Sequence, residues 1–151
     1  MELSRYTKFF LMLLCSALSM YITMYFNTYE LGHVFFSVTR LYMTLIGVGG
    51  MAIVMFLFMR GMYTSKRKNR MIVGLSLLIM GVCTFLVRTQ KPIGDLGWMK
   101  AMIPHHSIAI LTSERANIKD PEVQKLSKDI IEAQRKEIAQ MKKMIERLEG
   151  D

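Results

Sequence analysis

Three apolar stretches dominate the first 87 residues. They run from Phe9 to Phe26, Leu41 to Met59 and Met71 to Val87, and each spans 17 to 19 residues. That is the short end of what crosses a hydrocarbon core of ~30 Å. The pattern predicts three transmembrane helices over about 9–26, 41–59 and 71–87. A signal peptide is the alternative for the first run, but its apolar stretch exceeds the usual ~7–15 residues. A lipid anchor at Cys15 is disfavoured because Leu14 before it is not small.

The remainder, 88–151, changes period. Pro92, Gly94 and Gly97 mark the exit from the third run, and Asp95 offers a helix start. Met99, Met102, Ile103, His106, Ile110 and Ser113 then recur on one helical face. Asn117 to Glu122 reads as a turn, with Asp120 as N-cap and Pro121 at the first helical position. A second stripe follows at Val123, Leu126, Ile130, Gln134, Glu137, Ile138, Met141, Ile145 and Leu148. Helices over about 95–117 and 121–149, joined by so short a connection, are expected as antiparallel neighbours. Pairing outward from the turn sets His106 opposite Gln134, Met102 opposite Glu137 or Ile138, and Met99 opposite Met141. The chain is therefore expected to be all-α: a membrane region, 1–87, and a helical hairpin domain, 88–151.

Charge orients this arrangement. Of the formal +8, the first 87 residues carry eight basic and two acidic residues, while 88–151 carries twelve and ten. The basic excess thus belongs to the membrane part, which fits topology and anionic lipid better than nucleic acid. Arg60, Lys66, Arg67, Lys68 and Arg70 lie between the second and third runs, and Arg5 and Lys8 precede the first. The loop from Asn27 to Arg40 has only Arg40, balanced by Glu30. The positive-inside rule puts the N-terminus and the Lys/Arg loop in the cytoplasm. Three crossings then carry the hairpin outside, as in a multi-pass protein of a bacterial-type inner membrane.

The chemistry of interest lies in Trp98-Met99-Lys100-Ala101-Met102-Ile103-Pro104-His105-His106. Thioether and imidazole together suit copper, Cu(I) above all. Thioethers need no deprotonation and form no disulfides, so the set is sensible outside the cytoplasm. Zinc prefers Cys, His and carboxylate. Successive residues diverge by ~100° on a helix, so His105 and His106 do not aim at one point. Pro104 removes one helical hydrogen bond and is expected to kink the helix. Gln134 and Glu137 occupy positions where apolar residues would pack better, which fits residues that orient an imidazole.

The run Met99-x-x-Met102-Ile103-Pro104-His105-His106, with Asp120-Pro121-Glu122 and Gln134-x-x-Glu137-Ile138-x-x-Met141, resembles the family catalogued as domain of unknown function 305. The resemblance covers roughly 95–149. It implies a ferritin-like helical bundle and extracytoplasmic binding of copper, as in members of the CopM type, with Cu(I) favoured and Cu(II) or Ag(I) as alternatives. Carried onto this chain, the implied ligands are Met99, Met102, His105, His106, Met141 and Met144, with Gln134 and Glu137 behind them. His33 and Glu30, in the first outer loop, are additional candidates. The bundle also implies that two hairpins pair into four helices, so a homodimer or a larger oligomer is expected, in which metal can bind between chains, with a copper-handling protein as a further partner.

Each feature has a plainer reading. Met fills cores readily, and a lone His is often only hydrogen-bonded. Met20 and Met24, and Met51, Met55 and Met59, repeat every four residues in the first two runs. They read as a soft-metal path or as helix packing, and Gly47, Gly49 and Gly50 as close helix contacts. Cys15 and Cys83 lie within apolar runs and form no CxxC. No nucleophile–base pair stands out, so an enzyme is not expected. Three functions remain: a membrane-anchored copper-binding protein for sequestration, handover or tolerance; a component passing metal through Met-lined helices; or a dimerising module without metal.

Overall fold

The structure, a computed structural model, describes residues 4–150. Among them it is entirely helical: α1 Arg5–Thr23, α2 Val38–Met59, α3 Lys66–Thr89, α4 Asp95–Arg115 and α5 Pro121–Glu149, with short 3-10 turns at Leu31–His33 and Arg60–Met62. The chain forms two compact units. One combines the residues up to 24 with 39–92; the other combines 25–38 with the residues from 93 onward. The loop between α1 and α2 thus belongs with the hairpin, whereas the sequence alone left it in the membrane half.

In the first unit, α1, the helix from Val38 and α3 are long and apolar enough to cross a membrane. Little of their surface is buried within the chain, which suits helices whose solvent is lipid. Helix α1 begins four residues earlier than its apolar run because Ser4 caps it, its hydroxyl accepting the Thr7 N–H at 3.1 Å. It also ends sooner, at Thr23 rather than residue 26. Arg40, buried in the first turn of α2, donates to the Met24 carbonyl just past that end, satisfying a helix-terminal acceptor. Helix α3 extends its apolar run through Lys66 to Arg70, capped by Ser65.

The interior of this unit is centred on Phe9, Ala52, Tyr63 and Ile72, with Met55 and Met59 packed against it. Two glycines of α2 are packing notches. A Cβ on Gly47 would lie 2.6 Å from the Met20 methyl, and one on Gly49 would lie 2.6 Å from Met80 Cγ and 3.2 Å from the Ser76 carbonyl. Gly50 has open space, so the close contact expected there is absent. Met20 and Met80 therefore fill notches between helices, as flexible thioether side chains do.

In the second unit, Asp120 caps α5, its carboxylate accepting the Glu122 and Val123 N–H groups at 2.9 and 3.0 Å. Helix α4 runs through Pro104, whose missing N–H leaves the Lys100 carbonyl without its helical donor. Met99, Ile103, Ile110, Ile138, Met141 and Ile145 form the core, joined by Tyr29 and Phe35 of the loop. The buried face of α5 runs through Ser127, Ile131, Gln134, Ile138, Met141 and Ile145. This alternating spacing of four and three is the seam by which two nearly antiparallel helices meet. The expected stripe drifts off it toward the turn: Val123 and Leu126 are exposed, as is Leu148 at the far end. Ser127 takes the buried place because its hydroxyl donates to the Ser113 carbonyl at 2.9 Å.

Candidate functional site

The hairpin places His106 against Glu137. The imidazole Nε2 lies 2.7 Å from a Glu137 carboxylate oxygen, and Nδ1 lies 2.9 Å from the Met102 carbonyl. A carbonyl only accepts, so Nδ1 donates to it; the Glu137 carboxylate also accepts, so the Nε2 contact holds a further proton shared between ring and carboxylate. This fixes the ring and turns Nε2 toward α5. A histidine that ligates a metal through one nitrogen is commonly held in this way through the other. Mirror pairing about the turn put Gln134 opposite His106. Its partner is Glu137, almost a turn further along α5, and Gln134 is half-buried with no hydrogen bond to the ring.

The thioethers gather on the same side of the hairpin but at different depths. Met99 and Met141 are 4% and 6% exposed and belong to the core, while Met102 is half-buried against it. Met102 precedes His106 by one turn on one face of α4. Met144 turns outward, at 38% exposed, and stands apart from the core thioethers. His105 is exposed, its ring centroid 6.1 Å from that of His106 and tilted 66° to it. Among the described residues, no three His, Cys, Asp or Glu side chains converge as a metal cluster. A metal held here would therefore need thioether sulfur in addition to His106, a donor type that suits Cu(I) better than zinc.

A second polar cluster was not legible as a unit. The Ser107 hydroxyl, wholly buried, accepts the Tyr29 backbone N–H at 2.7 Å and lies 3.0 Å from His33 Nδ1. His33 is 6% exposed, and its Nε2 faces the Glu30 carboxylate at 3.5 Å. With Nε2–H toward Glu30, the Ser107 hydroxyl donates to Nδ1, and the chain of bonds runs one way. Serine, histidine and glutamate here do not form a reactive trio, because Ser107 Oγ has no route to a substrate. They clasp the loop onto α4.

Beside the clasp lies a cleft of about 230 Å³, lined by Tyr29, Glu30, His33, Arg135 and Lys142 among others. Burial first, then the Lys142 ammonium, push the His33 pKa below its ordinary value, with Glu30 pulling the other way. The Tyr29 phenol is raised, chiefly by its hydrogen bond to Glu114 and then by burial. The Arg135 guanidinium lies 5.7 Å from the Tyr29 ring centre. Two cations beside His33 and Glu30 disfavour a metal cation there, and His33 already spends Nδ1 on Ser107. The sequence signal that would have found this clasp is Tyr29 and Phe35, two aromatic residues in the loop between the first two apolar runs.

Residues 87–151 match the model of the family described as Domain of unknown function (DUF305), which supports placing that segment in this domain family. The chain is also similar to the uncharacterized protein L153 of Acanthamoeba polyphaga mimivirus, 29% identical over 142 residues, covering 89% of this chain and 91% of that protein. That alignment is more than twice the length of the family segment, so the likeness includes much of the apolar half. No solved structure matches.

Proposed function

We propose that the chain is a membrane-anchored, extracytoplasmic copper-binding protein that sequesters or hands over Cu(I). The observation that carries the reading is the set of His106. Its Nδ1–H is held by the Met102 carbonyl, so Nε2 is the nitrogen left to ligate, one helical turn from Met102, whose side chain packs against the core that contains Met99 and Met141. Glu137 lies at the Nε2 position that a metal would share or take over. His105, exposed beside His106, is the natural entry ligand, while Met144, His33 and Glu30 lie outside this set. The packing of Met20 and Met80 into glycine notches supports an anchor rather than a metal conduit for the membrane helices.

The proposed topology has its own support. The loop 25–38 packs with a hairpin that follows α3, and α2 and α3 lie between them. Two crossings return the chain to the side it left, so both segments face one compartment. The basic loop between α2 and α3 then faces the cytoplasm by the positive-inside rule. Exposed Val123 and Leu126 offer an apolar strip through which a second hairpin completes a four-helix bundle.

The test is titration of the full chain in detergent with Cu(I) against a chromophoric chelator. The expected result is binding that falls by at least about tenfold on combining Met102→Leu with His106→Ala, since even residues behind the ligands typically contribute 10–100-fold. Unchanged affinity in the double variant would overturn the reading.

A further inference from the structure

On the first unit's Lys/Arg side, a cleft of about 360 Å³ opens between the N-terminal ends of α1 and α3. Its wall changes character along its length. One end carries Ser4, Thr7 and Lys68, and the other Phe10, Met71 and Leu75. We propose that this cleft binds an anionic glycerophospholipid, its phosphate at Lys68 and the start of one acyl chain along Phe10, Met71 and Leu75. The proposal rests on the reading of α1 to α3 as membrane helices and is independent of copper.

Lys68 is held in place from below. Its ammonium sits 4.9 Å from the centre of the Tyr6 ring, a cation–π contact. Tyr6 is itself fixed, its hydroxyl donating to Asn69 Oδ1 at 2.9 Å and accepting the Ser65 N–H at 3.0 Å. The network ties the start of α1 to the start of α3, so the cleft is preformed.

Among the described residues no carboxylate faces it; Glu2, the acidic residue nearest to Ser4 in sequence, lies outside them. No acidic residue occurs between Glu30 and Asp95, and neither α1 nor α3 has one in its first turn. Arg5, Lys8, Lys66, Arg67 and Arg70 share this end. Lys68 forms no salt bridge among the described residues. Among the described residues no side chain supplies the charge complement. A free phosphate would satisfy Lys68 but leave the apolar length of the cleft unused, whereas a phospholipid covers both ends.

The test compares phosphatidylglycerol with phosphatidylcholine as ligands of the full chain, by lipid retention in native mass spectrometry. A cation near the membrane surface contributes about 1 kcal/mol toward anionic lipid, or about fivefold. Wild type is expected to prefer phosphatidylglycerol by at least that factor. Lys68→Gln should lose the preference, Lys68→Arg and Lys8→Gln should keep it, and Leu75→Trp should lower occupancy by filling the apolar end. Equal retention of the two lipids by wild type would overturn the proposal. So would equal losses in Lys8→Gln and Lys68→Gln, or displacement of phosphatidylglycerol by millimolar inorganic phosphate. The wild-type comparison and the Lys68→Arg variant decide the matter even if Lys68→Gln folds poorly.

Discussion

Ser107 Oγ lies 3.0 Å from Nδ1 of His33, joining residues 74 positions apart. The same oxygen accepts the Tyr29 N–H, so one hydroxyl holds two points of the loop. Ser107→Ala removes the partner of both at a position that is itself fully buried. The expected loss is about 1–3 kcal/mol, seen in thermal unfolding of the full chain in detergent. Hydrogen exchange should localise it, with the Tyr29 amide losing protection. A Tyr29 amide as slow as in wild type would refute the clasp.

The same histidine makes the outer unit sensitive to acid. Its folded pKa lies below the ordinary 6.5 because of burial and then Lys142. As pH falls, the unfolded chain takes up the proton first. His33 therefore contributes stability that is fully present above pH 6.5 and is lost as pH falls from there through the folded value. Melting curves between pH 7.5 and 5 should show the decline, and His33→Gln should flatten part of it.

Met102→Leu separates a ligand from a core residue. Leucine conserves volume and apolarity, so packing alone predicts a stability change under about 1.5 kcal/mol. If the thioether binds Cu(I), affinity should fall while the melting temperature barely moves. Equal Cu(I) affinity for the variant would assign Met102 to packing alone.

The glycines of α2 make graded predictions. Gly49→Ala drives a methyl into Met80 Cγ and the Ser76 carbonyl and should cost about 1–3 kcal/mol by overpacking. Gly47→Ala meets only the flexible tip of Met20 and should cost less. Gly50→Ala meets nothing within 4 Å and should stabilise by up to about 1 kcal/mol through helix propensity. Unfolding of the three variants in detergent should rank them in that order.

Asp120→Ala removes the acceptor for two N–H groups at the start of α5. The expected cost is about 1 kcal/mol, read as earlier unfolding of the hairpin by far-UV circular dichroism.

Asp120 also shows what could be read in advance. The cap, Pro121 and the apolar period placed the start of α5 to the residue, because those signals are local. The membrane helices were legible through their apolar runs, but their ends were set by Ser4 and Ser65 caps outside those runs. The partner of His106 was not legible. Mirror pairing assumes equal advance along both helices, and the seam through Ser127, Ile131 and Ile138 follows a different stripe. The loop was missed because its contacts are long-range. Tyr29, His33 and Phe35 show no periodicity, and only the fold brings them to Ser107 and the hairpin core.

The clasp also has a consequence for biogenesis. Tyr29 leaves the ribosome long before Ser107, and in the proposed topology α2 and α3 are inserted between them. Such high contact order makes docking a late step. Until then the loop's aromatic side chains have no cover. In the proposed topology, a chain in which α3 failed to insert would leave loop and hairpin on opposite faces of the bilayer. Closure at Ser107 in that topology thus requires that both α2 and α3 have been inserted.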